Sequence, residues 1–207
     1  MKVTLIDQTQ NPVQKIADIA SICYGKDKSS NPDKLLHSLY ENGHHSVFEH
    51  IYFTFKIEGI SRACSHQLVR HRMASYTQRS QRYCNEGNVR HILPQSVELE
   101  DCYEQYEYAI GHAIGEYNKL IAADVPAEDA RYILPNATAT DLYMTLNLSS
   151  FIHFSNVRLC KRAQWEIREL AGKMVSLVDK KLQFMLVPKC KSGRIICNDK
   201  CGKMEGK

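Results

Sequence analysis

The sequence predicts an α+β domain in which long helices pack on a small, mainly antiparallel sheet. Period-2 segments such as IYFTFKI stand beside helical-period segments such as residues 103–120. The two kinds are mixed, without the regular βαβ alternation of a parallel sheet. At 207 residues and 43% hydrophobic, the chain is long enough for one good core and too short for two full domains. One domain is therefore expected over residues 1–187, followed by a cysteine-containing tail over 188–207.

MKVTLI reads as the opening strand. PVQKIADIASICYG places Val13, Ile16, Ile19, Ala20 and Cys23 at helical spacing. NPDKLLHSLYENG is a helix with Asn31 as cap, Pro32 in the first turn and Gly43 at the stop. IYFTFKI alternates, with Ile51, Phe53, Phe55 and Ile57 on one face, as a half-buried strand does. SRACSHQLVRH is a short helix opened by Ser61, and it runs into a segment with neither period, read as a loop. VRHILP is expected as a strand, and residues 97–122 as one long helix striped by Tyr103, Tyr106, Ile110, Ala113, Ile114, Tyr117 and Leu120. VPAEDARYILP is a second helix bounded by Pro126 and Pro135. TDLYMTLNL is a strand, SSFIHFSNVRLC the next helix, and residues 163–185 a last helix ended before Pro188. The only tryptophan, Trp165, is expected to pack.

Charged residues make up 24% and the net charge is +4, which does not announce a nucleic-acid binder. Basicity is local. RHRMASYTQRSQRY, residues 70–83, holds four arginines, a histidine and no acidic residue. Such a run is often a solvated surface loop. It also suits a phosphate grip, because arginine forks onto phosphate oxygens and Ser75, Thr77, Gln78 and Ser80 add neutral donors. A nucleic-acid groove would want more stacking aromatics than Tyr76 and Tyr83. No apolar run follows a basic start and none approaches a membrane span, so a cytoplasmic location is expected. There the eight cysteines are thiols or metal ligands, not a disulfide framework.

Arg70-His71-Arg72, then seven residues, then Ser80, resembles the signature of flavin-dependent thymidylate synthases. The longer family pattern also matches at Ser75 and Arg82; it departs at Thr77, where the pattern has Asn, and at Gln78, where some members have Glu. GHHSVFEHIYFTF resembles the segment before the family's first core strand, and the likeness points His44 and Ser46 toward the flavin or folate region. Read from the residues alone, Phe48 is core, and His44, His45, His50 and Glu49 are loop residues or a metal cluster. DARYILP resembles the segment whose arginine reaches the nucleotide, here Arg131. In NLSSFIHFSNVRLC, Asn147 and His153 fall where the family contacts flavin, and Arg158 where an arginine activates the uracil ring. The resemblance spans residues 40 to 185, within a catalytic domain of residues 1–187 with the family's fold.

The resemblance implies reductive methylation of dUMP to dTMP. Methylenetetrahydrofolate is the carbon donor, NADPH-reduced FAD supplies electrons, and tetrahydrofolate leaves. Flavin would meet His44, Ser46, Arg70, His71, Arg72, Gln78, Asn147 and His153. dUMP would meet Gln67, Arg70, Gln78, Arg79, Ser80, Gln81, Arg82, Arg131 and Arg158. Methylation at C5 needs that carbon nucleophilic. The only cysteine near the arginine segment is Cys84, and the family reading needs no enzyme nucleophile: Arg158 stabilises charge developing on the ring. There is no GxGxxG, so a Rossmann site is not expected. The family also implies a homotetramer with shared sites, and no nucleic-acid or membrane partner. Cys160, Cys190, Cys197 and Cys201 are candidates for a structural zinc, against a tail of reduced thiols. Rival readings are a nucleic-acid binder using the basic segment, and a flavin or nucleotide binder without methyl transfer.

Overall fold

The computed structural model describes residues 1–23, 25, 31–99 and 101–192. Four strands, β1 (Lys2–Gln8), β2 (Tyr52–Ser61), β3 (Ser75–Gln78) and β4 (Ala139–Asn147), form one sheet in the order β1-β2-β4-β3. Thr54 Oγ1 lies 3.0 Å from Thr145 Oγ1, and further along Gly59 N donates to Asp141 Oδ1 at 2.8 Å. Partner numbers fall along β4 as they rise along β2, so the pair is antiparallel. The helices are α1 (Pro12–Ile22), α2 (Pro32–Glu41), α3 (Arg62–Leu68), α4 (Gln95–Leu99), α5 (Tyr103–Ala122), α6 (Ala127–Ala130), α7 (Leu148–Arg158) and α8 (Trp165–Leu177). Among the described residues no helix is long and apolar enough to cross a membrane.

The described residues gather into two compact units: those within 1–2, 57–70 and 77–142, and those within 3–56, 71–76 and 143–192. In the first unit, Ile57, Ile60, Cys64, Leu68, Ile110, Tyr117 and Leu142 are buried. Ser61 caps α3 by accepting from Cys64 N at 2.9 Å, which is the start its hydroxyl predicted. In the second unit, Phe53 and Phe55 of β2 each meet Phe151 of α7 edge-on, with ring centroids 5.7 Å apart. α1 packs on α2, and α7 on α8. Asn31 caps α2 through Lys34 N at 3.0 Å.

Five expectations are corrected. The arginine segment contains a strand, β3, whose alternation is entirely polar and so carried no apolar signal. VRHILP makes only an isolated antiparallel bridge, His91 to Thr138. The long helix is interrupted between α4 and α5, where Asp101 adopts φ 54°, and of its stripe only Ile110 and Tyr117 are buried. The last helix stops at Leu177, because Val178 is extended and Asp179 caps a separate 3-10 turn over Lys180–Met185 through Lys181 N. Trp165 opens α8 and remains 36% exposed.

Candidate active site

The arginine segment is divided. Residues 71–76 belong to the second unit, and Arg70 and residues 77–83 to the first. Each side carries its own cluster of the expected residues.

In the second unit, β4 runs into α7, and Asn147 caps that helix by accepting from Ser150 N at 2.8 Å. The cap fixes Ser150, whose hydroxyl donates to Met73 O. That hydroxyl has one proton, so its 2.7 Å contact with His71 Nε2 requires the ring to donate. His71 is therefore the Nε2–H tautomer, with Nδ1 left as an acceptor. The ring is 8% exposed, stacks on His153 at 5.8 Å and meets Phe154 edge-on at 5.4 Å. Burial, then His153 and Arg158, push its pKa down to about 4, so at neutral pH it is an uncharged acceptor. Tyr76 donates to His71 O at 2.7 Å, and burial pushes its phenol well above the ordinary range. Arg72, His153, His44 and Ser46 are exposed, the last two at the start of a 3-10 turn over His45–His50. Arg158 sits half-buried in the last turn of α7, where the helix dipole favours a cation.

In the first unit, a cleft of about 320 Å³ is lined by Arg62, His66, Gln81, Arg131, Tyr132 and Asn136, among others. Arg62 and His66 are one helical turn apart on α3, which puts both on one face. Arg62 Nη2 donates to Arg79 O at 3.1 Å, but its buried Nε has no acceptor. Burial lowers the Arg62 pKa, Glu86 opposes the shift, and Arg131 adds to it. A buried guanidinium N–H without a partner, beside a second arginine, is an arrangement that an anion would complete. Arg131 Nε donates to Glu128 O at 3.0 Å.

Arg79 and Arg82 of the segment hold carboxylates. Arg79 Nε donates to both oxygens of Glu86, at 3.1 and 3.3 Å, and Glu86 is 1% exposed. The Arg79 pKa is raised by that hydrogen bond and charge. Arg82 pairs with Glu128 at 2.8 Å, both exposed, and Ser80 Oγ accepts from Arg82 N at 3.2 Å. Gln78 donates to Ser65 Oγ at 3.0 Å and Thr140 Oγ1 at 3.2 Å. Gln67 donates weakly to Ala63 O at 3.4 Å, and Arg70 is exposed just after α3.

Sequence reasoning missed Arg62, His66, Ser150 and the structural part of Tyr76. The Arg62–His66 spacing was legible. The Ser150–His71 pair was not, since the two residues lie 79 positions apart. Among the described residues, no three His, Cys, Asp or Glu side chains group as a metal site. Cys160 and Cys190 are half-buried free thiols, and Cys197 and Cys201 lie outside the described residues.

Comparison with known proteins bears on these clusters. The family model described as thymidylate synthase complementing protein (Thy1) matches residues 4–182. The chain is 42% identical over 195 residues to the flavin-dependent thymidylate synthase of Pyrococcus furiosus, covering 87% of this chain and 80% of that protein. It is 44% identical over 191 residues to that of Geobacter sulfurreducens, covering 86% and 82%. A crystal structure of the Helicobacter pylori flavin-dependent thymidylate synthase ThyX, complexed with FAD and dUMP, shares the fold. Its TM-score is 0.75 at 24% identity, over 90% of this chain and 98% of that one. A match over nearly the whole chain, with the arginine segment and the α7 residues inside it, shows that the chain belongs to the family of flavin-dependent thymidylate synthases.

Proposed function

We propose that this chain converts dUMP to dTMP with FAD, taking the carbon from methylenetetrahydrofolate and reducing equivalents from NADPH, and releasing tetrahydrofolate. The observation that carries the reading is the Arg62–Arg131 cleft, with its buried, acceptor-less Arg62 Nε, in a member of this family. A nucleotide phosphate supplies the missing acceptor, and Gln81 and His66 add donors on the same cleft. The H. pylori relative carrying dUMP and FAD supports the same pair of ligands.

The residues of the second unit fit a flavin. A neutral His71 ring, held by Ser150 and stacked on His153, offers an aromatic platform with an acceptor at Nδ1. The exposed Arg72 guanidinium suits a diphosphate. FAD, when bound, supplies the electrons that reduce the transferred carbon. Ser150 and Tyr76 hold the segment carrying His71 and Arg72 in place through Met73 O and His71 O.

Arg158 acts on the pyrimidine. Its guanidinium stays charged and forks onto adjacent acceptors, so it stabilises negative charge developing across N3 and O2 and directs electron density to C5. No thiolate is needed. We place the active assembly as a cytoplasmic homotetramer in which sites combine residues of several subunits.

The test is formation of dTMP, followed by mass spectrometry, from dUMP, methylenetetrahydrofolate, NADPH and FAD. The wild-type protein turns over, and Arg158→Ala loses roughly 10²–10³ in kcat, the loss typical of one preorganised charge-stabilising donor. No dTMP from folded, FAD-loaded wild-type protein overturns the reading, and unchanged kcat in Arg158→Ala removes Arg158 from it.

A further inference from the structure

The Arg62–Arg131 cleft is supported by residues of the first unit that do not line it. Arg62 Nη2 has one fixed acceptor, Arg79 O, at 3.1 Å. Arg79 is itself held at three points. Its N donates to Asp141 O of β4 at 2.9 Å, its O takes Arg62, and its Nε donates to both oxygens of Glu86. A planar guanidinium pinned at one Nη has its Nε direction set as well.

Glu86 is unusual in this setting. A buried carboxylate is costly to keep, and Arg79 alone hydrogen-bonds this one among the described residues. The turn that presents it is fixed on α5. Glu86 N donates to Tyr117 Oη at 3.2 Å, and Tyr117 is fully buried. Asn85 Oδ1 accepts from Gly87 N at 2.8 Å, and a Cβ on Gly87 would collide with Asn118 Oδ1. The Glu86 charge also reaches Arg62, since burial lowers the Arg62 pKa and Glu86 opposes that shift. The contacts run as one chain from Tyr117 through Glu86 and Arg79 to Arg62, and Arg62 carries the buried N–H that lacks an acceptor.

We propose that Glu86 is a positioning residue of this cleft: by holding Arg79 it fixes the carbonyl that aims Arg62 Nε at the phosphate of the nucleotide. Glu86 and Arg79 act through Arg62 and do not touch the ligand. The inference rests on the reading of the cleft as the phosphate site for dUMP. A carboxylate behind an anion site has two effects of opposite sign. Its charge repels phosphate, so by charge alone its removal tightens dUMP. Its hold on Arg79 keeps a donor in place, so by positioning its removal weakens dUMP.

Calorimetry on the intact protein gives the dUMP affinity, and turnover gives KM for dUMP and kcat. The variants are Arg62→Ala, Glu86→Leu, Glu86→Gln and the double Arg62→Ala/Glu86→Leu. Arg62→Ala weakens dUMP at least roughly tenfold, as for a lost hydrogen bond between charged groups. Glu86→Leu lets Arg79 turn into water and weakens dUMP at least roughly threefold, within the range of coupling inside one hydrogen-bond network. It raises KM and leaves kcat within about twofold, because the phosphate is held alike in the ground and transition states. Glu86→Gln keeps an acceptor for Arg79 Nε and stays within about twofold of wild-type affinity. In the double variant Glu86→Leu adds nothing to Arg62→Ala. If Glu86→Leu does not fold, Arg79→Met/Glu86→Leu replaces it in every comparison, since neither partner is then buried alone. The inference is overturned if Glu86→Leu binds dUMP as tightly as the wild type or more tightly, if Glu86→Gln falls as far as Glu86→Leu, or if the loss adds in full to that of Arg62→Ala. An Arg62→Ala protein with wild-type dUMP affinity would instead defeat the cleft reading, and the inference with it.

Discussion

His71 makes folding stability depend on pH in a way that a single substitution removes. Its pKa in the folded chain is pushed down to about 4, against 6.5 for the free side chain. Between those values the unfolded chain holds a proton on His71 and the folded chain does not. Stability therefore rises with pH across this window and is lost as pH falls through it. The integrated loss is about 1 kcal/mol between pH 7.5 and 5.5, and about 3 kcal/mol by pH 4. Ser150 accepts from His71 Nε2 in either charge state, so the cost is one of burial and of the nearby His153 and Arg158 charges. The assay is urea unfolding at pH 7.5 and 5.5 for the wild type and His71→Gln. Glutamine can still donate to Ser150 but does not titrate, so the substitution removes about 1 kcal/mol of pH dependence; other groups titrate in both proteins and cancel. Identical pH dependence in the two proteins would refute the reasoning, because His71 would then titrate alike in the folded and unfolded chains.

Asn147 both caps α7 and is expected to meet flavin, and the two parts separate: Asn147→Ala costs about 1 kcal/mol, or roughly 2–4 °C in Tm, while Asn147→Ser keeps the cap and the Tm. A Ser variant with normal Tm but weakened FAD binding in a fluorescence titration isolates the flavin contact. Glu128 competes for Arg82 in the unliganded chain, so Glu128→Gln leaves stability within about 0.5 kcal/mol and tightens dUMP by calorimetry, whereas Arg82→Ala weakens it. Weaker dUMP binding in Glu128→Gln would show that the pair positions Arg82 instead. Cys84→Ala keeps kcat within about twofold if no thiolate attacks the ring, and a large drop in kcat would restore a cysteine nucleophile.

Much of the architecture could be read along the chain because local chemistry set it. Asn31, Ser61 and Asn147 each accept from the first turn of a helix, and the alternation Phe53, Phe55, Ile57 buries one face of β2. The misreadings share a physical origin. β3 alternates Ser75, Tyr76, Thr77 and Gln78 without an apolar face, so pairing in the sheet, not burial, makes it a strand. The break at Asp101 and the extended Val178 interrupt helical patterns that continue on either side, where tertiary packing overrides propensity. The arginine segment announced an anion site but not its partition. That Arg79 holds Glu86 seven residues on, that Arg82 holds Glu128 forty-six residues on, and that Arg62 carries an unpaired Nε in the cleft depend on how the chain folds back on itself, which no local pattern announces.

The most direct test of the account is anaerobic reduction of FAD by NADPH in the presence of the protein, read from the visible flavin absorbance with and without dUMP. The account predicts bleaching that requires the protein and accelerates when dUMP is added, with Arg131→Ala losing the acceleration. Folded protein that supports no bleaching in either condition would contradict the central claim that flavin, reductant and nucleotide meet on this chain.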